Sequence, residues 1–281
     1  MPIPRSLKRL ALRALLQRED YVRVMRAEFG DAGHGYDPLG LSAEDFAFAM
    51  ALAFPFYAHY FRVRSYGAEH IPTRGPAIVA ANHSGMLPLD GVMLAVDIAR
   101  KTRPTRIPRT VGDVFIPFMP WVGTAFSRAG VVSGSRGNFR HLLESGELLL
   151  VFPEGTPGIS KGFQKRYQLQ EFRVGHAELA LRYRAPVVPT AVIGAEESWA
   201  QIGRVEGLGA FGAPFLPVPL TPLPLPARFH LHYGEPIALH EMFDPEDSED
   251  PSVVAKAAGI VQTAVEKLVQ RGLSERTGVF V

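Results

Sequence analysis

The chain has 281 residues, 47% of them hydrophobic, with 30 Lys and Arg against 28 Asp and Glu and a formal net charge of +2. That length and apolar content suit a large globular α/β domain with appendages, and so balanced a charge gives a nucleic-acid partner no bulk electrostatic support. The absence of cysteine excludes a disulfide framework, a thiol nucleophile and cysteine-ligated zinc.

Residues 5–18 set leucines at 7, 10, 12, 15 and 16 among Arg5, Lys8, Arg9, Arg13 and Arg18 with no acid, the pattern of a basic amphipathic helix. Its interspersed charges leave no unbroken apolar core for a signal peptide. Such a helix either lies on an anionic lipid surface or packs its leucines on the domain, and the pattern leaves both open. A glycine-rich loop over 29–41 follows. Ser42 then caps a helix that enters an uncharged run from Phe46 to Phe61. That run falls short of the about 20 apolar residues that span a bilayer, so a helix buried in the core or dipping into one leaflet is expected.

Ala77 to Ala81 reads as a buried strand, and Leu89, Val92, Met93 and Val96 have helical spacing from Pro88 onward. His83 therefore sits on a strand-to-helix turn, with Asp90 in the helix's first turn. Further on, strands are expected over 106–111, 129–133, 147–152 and 186–193, and helices over 139–145, 175–183 and 251–271. The prolines of 115–123 rule out a long element there, and 161–167 reads as basic and flexible. Residues 207–226 are expected as an apolar loop and 228–233 as a last edge strand. The acids crowd near the far end, with Glu241, Asp244, Glu246, Asp247, Glu249 and Asp250 in one stretch. Strands alternating with helices predict an α/β fold with a mostly parallel central sheet and helices on both faces, over residues 63–281, preceded by a membrane-associating helical region over 1–62. Sites in such sheets form beyond the carboxyl ends of strands, where His83 and Glu154 both fall.

A neutral imidazole on such a turn is suited to take a hydroxyl proton, which makes His83 the candidate base. Asp90 is its candidate orienting carboxylate, against the alternative that Asp90 only caps its helix, as Glu154 could also do. Glycine beside the histidine leaves backbone N–H groups to meet an oxyanion, so Asn82, Ser84 and Gly85 are assigned to substrate. No His, Asp or Glu spacing resembles a closed metal site, and no Gly-x-Ser-x-Gly elbow occurs.

The blocks Asn82-His83-Ser84-Gly85-Met86-Leu87-Pro88-Leu89-Asp90, Val151-Phe-Pro-Glu-Gly-Thr156 and Pro186-Val-Val-Pro189 resemble, in order and spacing, signature blocks of the glycerolipid acyltransferase superfamily, which includes lysophosphatidic acid acyltransferases. The likeness extends from Tyr66 to Pro236. It implies transfer of a fatty acyl group from acyl-CoA or acyl carrier protein to a lysophospholipid or related glycerolipid, without a cofactor, on the cytoplasmic face of a membrane. It also implies an acceptor pocket shaped by Glu154, Gly155 and Thr156, with Arg136, preferred over Arg128, as a further contact. The family's aspartate usually stands five positions after the histidine, where this chain has Pro88, and its arginine after Glu-Gly-Thr is here Pro157. Lys161, Lys165 and Arg166 are the expected replacements for that arginine. Two other readings stay open: a lipid-binding protein of the same fold without transfer activity, and a hydrolase of acyl esters or thioesters.

Overall fold

The computed structural model describes residues 4–31, 33–84, 88–112, 121–159, 161–206 and 215–281. Gly85, most of the 115–123 segment and the start of the 207–226 segment lie outside them. The chain begins with helices α1 (Arg5–Leu15), α2 (Arg18–Met25) and α3 (Ala43–Pro55), the last running into a single π turn at Phe56–Tyr60. Strand β1 (Arg64–Tyr66) and β2 (Ala77–Ala81) lead to α4 (Leu89–Lys101), β3 (Arg109–Gly112), α5 (Val122–Arg128), β4 (Val132–Ser133) and α6 (Arg136–Glu144). Then come β5 (Leu148–Val151), the short α7 (Thr156–Ile159), α8 (Gly175–Arg182), β6 (Val187–Ile193) and α9 (Ala195–Ser198). Strands β7 (Gln201–Glu206), β8 (Phe215–Pro219) and β9 (His230–Tyr233) precede α10 (Leu239–Met242) and the long α11 (Pro251–Glu275).

Seven of the described strands form one sheet in the order β1-β9-β6-β2-β5-β3-β4. The run from β6 to β4 is parallel throughout, and β9 joins it antiparallel while pairing parallel with β1. The sheet is thus mostly parallel, as the alternation of strands and helices predicts. Two details differ from the sequence reading. The strand at 228–233 is interior, because β1 covers its outer side. And part of the expected loop at 207–226 is strand β8, whose Leu216 and Val218 pair with Val205 and Gly203 of β7 in a separate two-stranded sheet.

Side-chain alternation along the central strands loads both faces with apolar groups. Ala77, Val79 and Ala81 of β2 join Leu148, Leu150, Val188 and Val192 in a core shared with Phe46, Met50, Phe54, Met93 and Leu94 of α3 and α4. On the other face Ile78, Ala80, Leu149, Val187 and Ala191 pack with Ala177, Leu181, Val261 and Val265 of α8 and α11. Each fully buried Val, Leu or Ile contributes about 1.5–3 kcal/mol, so the central strands anchor the architecture. Buried Asp97 of α4 then ties the π turn after α3 to β9, accepting from Tyr57 Oη at 2.6 Å and from Tyr233 Oη of β9 at 3.0 Å. Among the described residues no helix is long and apolar enough to cross a membrane.

Three of the acids near 241–250, Asp244, Asp247 and Asp250, serve helix ends. Asp250 accepts from the backbone N–H groups of Ser252 and Val253 at the start of α11, and Asp244 with Asp247 forms a capping box. The 29–41 loop is likewise tied down: Asp37 accepts from Leu39 N and Leu41 N and pairs with buried Arg109 of β3.

Candidate active site

Parallel pairing of β2 with β5 decides what meets at the sheet's carboxyl edge. Ala80 stands opposite Val151, and His83 and Glu154 each lie three positions past that pair. The two strands therefore deliver these residues side by side, and the His83 backbone N–H donates to Glu154 Oε1 at 2.9 Å. Phe152, one residue past β5, stacks on the His83 ring with centroids 4.3 Å apart.

The ring is held from its other side by Asp90. His83 Nδ1 lies 2.7 Å from Asp90 Oδ2, and that oxygen also accepts from Ser84 N at 2.8 Å and Ser84 Oγ at 3.1 Å. Gly91 N donates to Oδ1 at 2.7 Å. Asp90 is fully buried and the N-cap position belongs to Pro88, so the carboxylate turns back toward the preceding loop. A carboxylate can only accept here, which assigns the proton to Nδ1 and leaves Nε2 as the basic nitrogen. Asp90, seven positions after the histidine, thus reaches the nitrogen that an orienting acid must reach.

Glu154 is a buried brace. Its Oε2 accepts from Gln170 N at 2.8 Å and from Lys161 Nζ at 3.1 Å, and Lys161 also reaches Glu196 Oε1 at 3.3 Å. Burial pushes the Glu196 carboxyl up to about 7, with Lys161 pulling it back down. Gly158 is the close approach in this corner: a Cβ there would stand 2.7 Å from the Glu154 Cβ and 3.2 Å from the His83 Cβ.

A cavity of about 1520 Å³ opens beside His83, larger than the usual 300–1,000 Å³ of a small-molecule site. One part is apolar, walled by Met50 and Ala53 of α3, Val92 and Val96 of α4, and Phe152. The cavity lining also includes Gly155, Arg173, His176 and Leu179. His176 is buried, its Nδ1 donates to the Arg173 carbonyl at 2.8 Å, and burial pushes its pKa down to about 4.

Among the residues expected from sequence, the structure brings His83, Ser84, Asp90, Glu154, Gly155 and Lys161 together. Several placements differ from a substrate contact. Asn82 spends its amide on the Val192 backbone, donating to its O at 3.0 Å and accepting from its N at 2.7 Å, because it continues the β2–β6 pairing. Ser84 spends its hydrogen bonds on Asp90. Arg136, the first residue of α6 behind its Ser135 cap, has a side chain 86% exposed and 3.7 Å from Glu178, away from the cavity wall. Thr156 opens α7 and does not line the cavity. Lys161 is only 3% exposed and committed to two carboxylates, so it offers no free charge to a phosphate. Lys165 and Arg166 are exposed on a turn, Arg166 lying over the Phe163 ring at 4.7 Å. Arg173, His176 and Glu196 went unread in the sequence. Arg173 comes from an irregular segment, His176 from the first turn of α8 and Glu196 from the short α9 behind β6, and no local pattern marks them.

Residues 62–193 match the family model described as Acyltransferase. Uncharacterised proteins of Mycobacterium tuberculosis and Mycobacterium leprae are 37% and 36% identical over 235 residues, 80% of this chain. The chain spans 65% and 64% of their lengths, less than two thirds of each. A Bos taurus protein named as a DGAT1/2-independent enzyme synthesizing storage lipids is 24% identical over 207 residues, 72% of this chain and 58% of that protein. The crystal structure of the 1-acyl-sn-glycerophosphate acyltransferase PlsC from Thermotoga maritima aligns with a TM-score of 0.57 at 17% identity, over 97% of this chain and 89% of that one. At that identity the likeness speaks to the fold.

Proposed function

We propose that this chain, whose residues 62–193 match the Acyltransferase family model, is a glycerolipid acyltransferase that moves a fatty acyl group from acyl-CoA or acyl carrier protein to a hydroxyl of a lysophospholipid or related glycerolipid. The observation that carries the reading is the 2.7 Å bond from His83 Nδ1 to buried Asp90, at the edge of a large and partly apolar cavity. In the reaction, His83 Nε2 takes the acceptor hydroxyl proton as that oxygen attacks the thioester carbonyl. Asp90 stabilises the imidazolium that forms. The carbon–sulfur bond then breaks, the ester is complete, and the imidazolium returns its proton to the departing thiolate. The wall formed by Met50, Ala53, Val92 and Val96 suits an acyl chain, because burying each CH₂ is worth about 0.8 kcal/mol.

The acceptor lies in a bilayer, and we place the enzyme there as a peripheral protein on the cytoplasmic face. Supporting this, α1 exposes Leu7 and Leu10 beside Arg9 and Arg13, and Leu52 and Phe56 of the α3 region are also exposed. An uncharged acceptor is the second reading, favoured by the storage-lipid role printed for the bovine relative and by Pro157 in the Glu-Gly-Thr block. Thiol release from acyl-CoA, measured with and without each lysolipid, tests the proposal. Release that depends on acceptor supports transfer. Acceptor-independent release points to a hydrolase, and absence of release with every donor and acceptor to a lipid-binding protein.

A further inference from the structure

Arg173 stands out among the cations of the cavity wall. Lys8 is paired with Asp45, and Arg128 lies over the Tyr36 ring at 4.2 Å. Arg5 sits on α1, the N-terminal helix. Arg173 alone adjoins the turn that carries Glu154, and among the described residues no carboxylate pairs with its guanidinium. Its backbone is fixed at both ends, with the N–H donating to Pro153 O at 2.9 Å and the carbonyl accepting from His176 Nδ1 at 2.8 Å. The guanidinium rests against Gly155, which has φ +58° and no room for a side chain, since a Cβ there would stand 2.8 Å from Arg173 Cζ. The same Pro153–Gly155 turn carries Glu154, which holds the His83 N–H. The Pro153–Gly155 turn therefore adjoins both His83 and a guanidinium that has no carboxylate partner among the described residues, and His83 and Arg173 line the same cavity.

A planar fork of N–H donors matches the oxygens of a phosphate, and Arg173, exposed to solvent where it lines the cavity, can present that fork to an anionic group entering from outside. Neutral His176 adds no charge to the recognition. We propose that Arg173 binds a phosphate carried by one of the substrates and so sets that substrate's headgroup next to His83, the role for which Lys161, Lys165 and Arg166 are misplaced. The inference rests on the reading of His83 as the base. The phosphate has two possible sources, the acceptor's headgroup and the donor's coenzyme portion.

The test begins with equilibrium binding, which does not require turnover. Binding of a 1-acylglycerol 3-phosphate is compared with that of the 1-acylglycerol of equal chain length, and coenzyme A with pantetheine, on the wild-type chain, Arg173→Gln and Arg173→Lys. The expected result is that one phosphate-bearing member binds the wild type about 10–100-fold tighter than its phosphate-free counterpart. Arg173→Gln closes that gap, Arg173→Lys restores part of it, and binding of the phosphate-free member stays unchanged. The pair that shows the gap identifies the source. A gap that survives Arg173→Gln overturns the proposal, as does an equal loss of both members of a pair or no gap in either pair. Turnover is then measured with the same molecules, where Arg173→Gln should raise KM for the phosphate-bearing substrate with kcat within a few-fold. A wild type that shows the binding gap without turnover overturns the transfer reading and leaves the phosphate contact standing.

Discussion

His83 and Asp90 form a pair in which each residue's task follows from what the other can do. Replacing His83 by Ala removes the proposed base, and acceptor-dependent thiol release should fall about 10²–10⁴-fold with the melting temperature nearly unchanged. Activity kept within a few-fold would remove His83 from the reaction. Asp90→Asn is expected to cost almost as much, because an amide can donate to Nδ1 and so favours the tautomer with its proton on Nε2, where the base is needed. If the melting temperature shifts and the rate does not, Asp90 serves the helix start alone. Lys161 is of another kind. Lys161→Met leaves the buried carboxylates of Glu154 and Glu196 facing each other without a cation, and breaking such a pair costs about 3–5 kcal/mol. A urea titration of the folded chain reads that loss directly, and a change below about 1 kcal/mol would show that Lys161 braces nothing.

At the scale of elements, α1 divides its two faces between the expected alternatives. Leu12 and Leu16 are buried against the domain and Lys8 pairs with Asp45 of α3, while Leu7 is 54% and Leu10 63% exposed. With Lys8 already paired, Arg5, Arg9 and Arg13 are the exposed cations that the proposed membrane attachment would use, each worth about 1 kcal/mol at an anionic surface. Leu7→Ser combined with Leu10→Ser should therefore weaken sedimentation with anionic vesicles several-fold and sharpen its salt dependence, leaving the melting temperature within about a degree. Unchanged sedimentation at high salt would assign attachment to other segments. The β7–β8 pair is one such segment, because it exposes Ile202 and Val205.

Across the whole molecule, buried titrating groups set how stability depends on pH. His176 has its pKa lowered from 6.5 to about 4 by burial, so the folded chain binds fewer protons than the unfolded chain between those values. Its contribution, roughly 3 kcal/mol at about 1.36 kcal/mol per unit, is complete above pH 6.5 and disappears as pH falls toward 4. Glu196 works in the opposite sense. Its pKa is raised from 4.5 to about 7, so its part of the stability is complete below pH 4.5 and is lost as pH rises toward 7. Unfolding free energies measured from pH 4 to 7 should show His176→Asn, which keeps a donor for the Arg173 carbonyl, removing part of the acid-side slope. Glu196→Gln should remove the opposing slope. Parallel curves for His176→Asn and the wild type would mean that His176 is solvated in the folded chain.

Local periodicity determined a good deal of this protein. The unbroken apolar runs of Ala77–Ala81 and Leu148–Val151, the helical spacing after Pro88 and the turn residues behind both strands are encoded over a few positions, so the parallel α/β core and the placement of His83 and Glu154 beyond strand ends were legible in advance. Which strand lies beside which is not encoded locally, because backbone pairing is nearly independent of side chain. Covering of β9 by β1 and the pairing of β8 with β7 were therefore settled only when the chain closed on itself. The charges follow the same division. Lys161, Lys165, Arg166 and Arg173 look alike as cations in a sequence, and only packing decides that Lys161 is consumed by Glu154 and Glu196, that Arg166 lies on an aromatic ring, and that Arg173 comes to the cavity wall without a carboxylate. A charge acts through what it ends up beside, and that neighbour is supplied by residues distant along the chain.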